Sequence, residues 1–182
     1  MTAAIIIIVV IVLIIIWAVG AYNSIIRLRN NRENAFADID VQLKQRYDLI
    51  PQLVETVKGY AKHESSVLQN VTNARAAAMS ATTIDDKIKA DNALTSALAG
   101  LKVSLEAYPD LKANENFMDL QKQLEGTENR INTERVRYNK AVQTYNVYIR
   151  RFPNNLFAGI FGFDTKQMFQ ADQQAQQAVK VS

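Results

Sequence analysis

The sequence predicts an all-α protein. An amino-terminal transmembrane helix continues into a long antiparallel helical bundle of three long helices plus a short carboxy-terminal helix. Three observations carry this reading. Residues Ala3 to Ala21 hold no charge. Beyond them, apolar residues recur at alternating steps of three and four over most of the chain, the period of helices that bury one broad stripe. Only three prolines and six glycines punctuate 182 residues, too few for the many turns of an all-β fold. The expected segments are an anchor over 1–26, a basic juxtamembrane stretch over 27–35, a bundle over 36–163, and a short helix and tail over 164–182.

The anchor comes first. About twenty helical residues, at ~1.5 Å each, cross the ~30 Å hydrocarbon core. Isoleucine is a modest helix former in water, but in lipid the backbone must satisfy its own hydrogen bonds, and that enforces the helix. Trp17 and Tyr22 sit near one end, where interfacial aromatics belong. A cleaved signal peptide is the rival reading. The run lacks a basic leading segment and exceeds the usual apolar length of such peptides, so a retained span in contact with membrane lipid over residues 3–22 is expected. Arg27, Arg29 and Arg32 follow it and no Lys or Arg precedes it. The positive-inside rule then puts the amino terminus outside and the helical domain in the cytoplasm. Asn30, Asn31 and Glu33 dilute the cluster, so a domain in the periplasm or outside is the alternative.

The first soluble helix carries a heptad stripe of Phe36, Ile39, Leu43, Tyr47, Ile50, Val54, Val57, Ala61, Leu68 and Val71, with Glu64 at the one skipped position. Leu49, Leu53, Tyr60 and Val67 widen it. Pro51 interrupts this run. Inside a helix it deletes one backbone donor and crowds the carbonyl four residues back, that of Tyr47, so a kink is expected there.

The segment RYDLIPQLVETVKGYAKHE, Arg46 to Glu64, together with an upstream membrane helix, resembles the LemA family of bacterial membrane proteins. YPDLKANENFMDLQKQLEGTENRI (Tyr108 to Ile131), YNKAVQTYN (Tyr138 to Asn146) and FPNNLFAGIFGF (Phe152 to Phe163) agree with that resemblance in the same order. It implies a helical-bundle domain on an amino-terminal transmembrane helix, placed in the bacterial inner membrane, and implies no established activity. One departure is Met168–Phe169, where the family more typically has an aromatic pair.

The first helix is expected to continue to Met79 and to turn at Ser80–Thr83. Thr83 caps the next helix, with Asp85 and Asp86 near its positive end. That helix repeats Leu94, Leu98, Leu101 and Leu105, with Ala90 and Ala97 permitting close approach, and Pro109 halts it near Tyr108. Asp110 opens a third helix with the stripe Phe117, Leu120, Leu124, Thr127, Ile131, Glu134, Tyr138, Ala141, Tyr145, Tyr148 and Phe152. Its polar members Thr127 and Glu134 are expected to fix register or bond a neighbour. Pro153 ends it. Phe152, Leu156, Phe157, Ile160, Phe161 and Phe163 then crowd one short segment. They are expected to plug one end of the bundle, or else to dock on a second subunit or a membrane surface. Asp164 and Gln167 suggest a cap for the last helix.

Helix lengths raise one further expectation. A first soluble helix of roughly 65 Å outruns a second of roughly 36 Å. Phe36, Ile39, Leu43, Tyr47, Ile50, Pro51 and Val54 would then lack cover within the chain, which makes them candidates for a homo-oligomer interface.

The residues supply little chemistry. There is no cysteine, hence no disulfide or thiolate site. His63 is the one histidine, and its context lacks the second histidine of a zinc-protease motif. Asp38 and Asp40, two apart on a helix, point in different directions. No glycine-rich phosphate loop exists. A net charge of +3 without a basic stripe argues against nucleic acid. No enzyme, cofactor, metal or catalytic residue is therefore expected. Two function classes stand. One is a membrane-anchored scaffold that self-associates as a coiled-coil-like assembly and presents helical surfaces to other membrane proteins. The other is a membrane-tethered sensor or receptor module that binds a small ligand or an extracytoplasmic partner, with a ligand site between Tyr138, Tyr145 and Tyr148.

Overall fold

A computed structural model describes residues 2–169. It contains α1 (Thr2–Tyr60), α2 (Ser65–Ser80), α3 (Ile84–Ser104), a 3-10 turn (Leu105–Ala107), α4 (Pro109–Lys112), α5 (Glu115–Arg150) and α6 (Asn154–Ile160). No strand occurs among the described residues. The fold is all-α. The described residues divide into two compact units, 36–136 and 2–35 together with 137–169, and α1 and α5 contribute to both.

The 36–136 unit is a four-helix arrangement and not the expected three. The reason is a break at Ala61–Glu64, where the expected helix to Met79 stops. The skipped heptad position, Glu64, sits at this break, and its carboxylate accepts the Tyr108 hydroxyl at 3.2 Å. α2 therefore folds back, and Arg75 of α2 reaches the Tyr47 carbonyl of α1. α3 then runs beside α1 in the same direction. Lys87 pairs with Asp40 at 2.6 Å and its ammonium lies 5.8 Å from the centre of the Phe36 ring. α5 returns antiparallel to α1, with Asn114 donating to the Tyr60 hydroxyl at 3.0 Å.

Local signals explain the boundaries. Thr83 accepts the Asp86 amide at 3.1 Å, capping α3 as the sequence predicts. Pro109 occupies the first turn of α4, where its missing donor costs nothing. The third long helix begins later than Asp110 because Asn114 caps it instead, accepting the Phe117 amide at 3.0 Å.

The second unit joins the amino-terminal part of α1 to the far part of α5 and to α6. Its core holds Ile25, Tyr145, Ile149 and Ala158, with Leu28, Tyr148 and Phe163 packed against them. Just past α6, Gly162 takes a φ of 68°, which glycine adopts without a Cβ penalty. The Phe163 amide bonds back to the Ala158 carbonyl at 2.8 Å, and this turns Phe163 inward.

Past α6 the expected helix at Asp164 does not form. Residues 164–169 are non-helical, and the remainder of that expected helix lies outside the described residues. Two asparagines of α5 hold this segment by its backbone. Asn146 accepts the Lys166 amide at 2.9 Å and donates to its carbonyl at 3.0 Å. Asn139 does the same for Phe169, at 2.8 and 3.0 Å. Seven helical residues rise ~10.5 Å and three extended residues span ~10 Å, so the two pairs are in step. Phe169 is buried and meets the Tyr138 ring edge-on at 5.5 Å.

Candidate functional site

The polar centre of the 36–136 unit is a buried ion network from three helices. Asp91 of α3 has 0% exposure. Its Oδ1 accepts Arg46 Nη1 of α1 at 3.1 Å and its Oδ2 accepts Arg135 Nη2 of α5 at 2.6 Å. Arg46 also donates to Thr95 at 3.1 Å, and Arg135 to Asn132 at 3.0 Å. Glu128 is half-buried and completes the set, 3.0 Å from Arg46 and 3.7 Å from Arg135. Two guanidiniums and two carboxylates balance, as burial of charge requires.

Sequence reasoning missed this network. Its signal was a charged residue in apolar register on each helix. Asp91 sits between Ile88 and Leu94, Arg135 between Ile131 and Tyr138, and Arg46 between Leu43 and Ile50, all of which are buried. The α5 stripe drifts accordingly. Arg135, Val142 and Ile149 are buried, whereas Glu134, Ala141 and Tyr148 are half-buried.

Beside the network lies Tyr47, buried, its hydroxyl without a hydrogen-bond partner among the described residues. Burial, and then the Asp91 charge, push its ionisation well above the ordinary tyrosine range. The Tyr47 carbonyl is the acceptor that Pro51 cannot serve. Arg75 Nε supplies the missing donor at 2.6 Å. Pro51 itself is exposed, and α1 continues through it to Tyr60.

Most of the residues expected at an oligomer interface are covered within the chain. Phe36, Ile39, Leu43, Tyr47, Ile50 and Val54 are all core within one chain. The first soluble helix is not unbroken, and the break at Ala61–Glu64 lets α2 and α3 cover the stripe. Of the expected topology-setting residues, Arg27 and Arg29 are exposed. Arg29 bonds Glu33 at 2.9 Å, and that bond raises its pKa. Arg32 is buried, with Nε and Nη1 lacking hydrogen-bond partners among the described residues.

The tyrosines expected near a ligand site are occupied by packing. Tyr138 and Tyr145 are fully buried, and Tyr138 donates to the Gln167 carbonyl at 3.3 Å. Burial raises the pKa of Tyr145. His63 is exposed in the turn between α1 and α2. Among the described residues, no three His, Cys, Asp or Glu side chains cluster to hold a metal ion. Asp91, saturated by two arginines and sealed from solvent, has the chemistry of a structural clasp.

The segment expected to be an end plug or a docking patch is mostly exposed. Phe152, Leu156, Ile160 and Phe161 are 75, 56, 75 and 54% exposed. Only Phe157 and Phe163 are half-buried, and the rings of Phe157, Phe161 and Phe163 meet the amino-terminal part of α1. The Phe157 ring lies 4.8 Å from that of Trp17, edge to face, and Tyr22 lies 5.3 Å from Phe161 and 5.8 Å from Phe163.

The amino-terminal part of α1 is long and apolar enough to cross a membrane, and its residues 5–16 are exposed throughout. Comparison with known proteins agrees with that picture of a membrane-associated helical protein. The chain is similar to Magnetosome protein MamQ 2 of Paramagnetospirillum magneticum, 24% identical over 175 residues, covering 82% of this chain and 64% of that one. It is similar to Protein LemA of Metamycoplasma hominis, 25% identical over 157 residues, covering 85 and 71%. It is also similar to Magnetosome protein MamQ of Magnetospirillum gryphiswaldense, 22% identical over 174 residues, covering 81 and 64%. The chain thus spans somewhat under two thirds of the length of the magnetosome relatives. The model of the LemA family matches residues 35–182, and with this coverage the chain belongs to the LemA family.

Proposed function

We propose that this protein is a single-pass, membrane-anchored helical scaffold. Its work is to hold a bundle next to the inner membrane and to present helical surfaces to other membrane proteins or to further copies of itself. One observation carries the reading. α1 supplies both the apolar span and, after Ala35, the first core stripe of the bundle, while the charged centre of that bundle is consumed in joining helices. By the positive-inside rule the bundle is cytoplasmic, with Arg27 and Arg29 as the flanking charge. Self-association, where it occurs, uses faces outside the covered stripe.

Cross-linking in native membranes, followed by identification of the linked proteins, tests the scaffold reading. Defined partners or discrete homo-oligomers that depend on exposed residues support it. A chain that forms no defined cross-link and turns over or binds a small molecule contradicts it.

A further inference from the structure

The exposed apolar residues around α6 have a neighbour that the anchor itself specifies. α6 turns Asn154 and Ala158 inward and leaves Leu156 and Ile160 outward, with Phe152 before it and Phe161 after it. Four large apolar side chains standing out from so short a stretch mark a docking surface. Their depth is set by aromatic contacts. Phe157 touches Trp17, which lies within the continuous apolar run that ends at Ala21, before Tyr22, Asn23 and Ser24. Phe161 touches Tyr22, one residue past that run. At ~1.5 Å per residue, Trp17 is ~6 Å inside the end of the apolar run. That is the depth, about 5–10 Å, at which interfacial helices bury their apolar face.

The polar surroundings fit the same level. Arg150 and Arg151, just before Phe152, are exposed, as is Arg27 of α1, and cations at this height meet lipid phosphates. Trp and Tyr are the side chains that favour the headgroup boundary.

We propose that Phe152, Leu156, Ile160 and Phe161 insert into the bilayer interface on the side where α1 leaves the membrane. They form a second lipid contact beside the transmembrane span. The occupant of the surface is lipid, because the anchor already fixes these residues at lipid depth. The second contact restricts rotation and tilt of α1 about its exit point.

The chain has no cysteine, so single labels are clean. Full-length Phe152→Cys, Ile160→Cys and Gln143→Cys are each labelled with an environment-sensitive fluorophore. Each is then reconstituted into vesicles of phosphatidylethanolamine and phosphatidylglycerol. Gln143 is an exposed position of α5 and serves as the aqueous control. The proposal expects blue-shifted emission at 152 and 160, quenched by doxyl-labelled lipid and little by aqueous iodide, with the reverse at 143. Iodide quenching at 152 and 160 equal to that at 143 overturns it. So does shielding from both quenchers accompanied by energy transfer between copies that falls on dilution in lipid, since a second copy would then cover the patch.

Discussion

A carboxylate with no exposed surface, clasped by two guanidiniums, is the most consequential single residue of the bundle. Removing Asp91 leaves Arg46 and Arg135 buried with only the half-buried Glu128 between them. Asp91→Ala is therefore expected to cost about 3–5 kcal/mol of stability. Glu128→Ala, at the partly solvated edge, should cost about 1 kcal/mol or less. Chemical unfolding of the two variants checks the ordering. Tyr47 behaves differently. Its hydroxyl is buried without a partner among the described residues, so Tyr47→Phe should leave stability unchanged or raise it. Its raised pKa also has a sign. The folded state holds the phenolic proton more tightly than the unfolded state does. Stability from this group is thus complete below the unfolded value of about 10 and declines as pH rises above it. Tyr47→Phe should flatten that alkaline decline in a melting profile against pH. At this scale the sequence was only half legible. Apolar core residues announce themselves by period, but a charged residue in apolar register becomes meaningful only when its opposite charges arrive from other helices, 45 and 44 residues away.

At the scale of the element, Pro51 and Arg75 form one device. The proline deletes the donor to the Tyr47 carbonyl, and the arginine of α2 restores one. Arg75→Met should destabilise the wild-type chain by about 1.5–3 kcal/mol, the range for a hydrogen bond from a charged donor. In a Pro51→Ala background, where the backbone amide restored by the substitution can serve that carbonyl, the same change should cost clearly less. A double-mutant cycle reads the difference. The asparagine pairs offer a second test. Asn139→Ala should raise hydrogen exchange at the Phe169 amide about tenfold, and Asn146→Ala should do so at Lys166. Tenfold corresponds to the ~1.4 kcal/mol expected of such a bond. Element type was legible almost throughout, because a heptad stripe admits little else. Element ends were less so. The α1–α2 break sits on Glu64, a single skipped position that also fits an uninterrupted helix. The late start of α5 rests on the Asn114 cap, which competes with an equally plausible start at Asp110. Over residues 164–169 the expected helix yields to backbone capture by Asn139 and Asn146, a tertiary contact that local propensity does not encode.

At the scale of the whole molecule, one chain provides both a helix long and apolar enough to cross a membrane and a bundle that covers its own core. The anchor and the family were legible from residues 3–21 and from the ordered motifs. The closure of the core was not, because it depends on where α1 ends. That closure leaves the Phe36–Val54 stripe covered within one chain. The most direct test is maleimide labelling of single cysteines in detergent-solubilised protein shown by mass photometry to be monomeric. Ile50→Cys, in the covered stripe, should resist labelling until the chain unfolds, while Lys44→Cys, on the exposed face of the same helix, should react at once. Labelling of Ile50→Cys as fast as Lys44→Cys in the monomer, with protection appearing only on oligomerisation, would contradict the account.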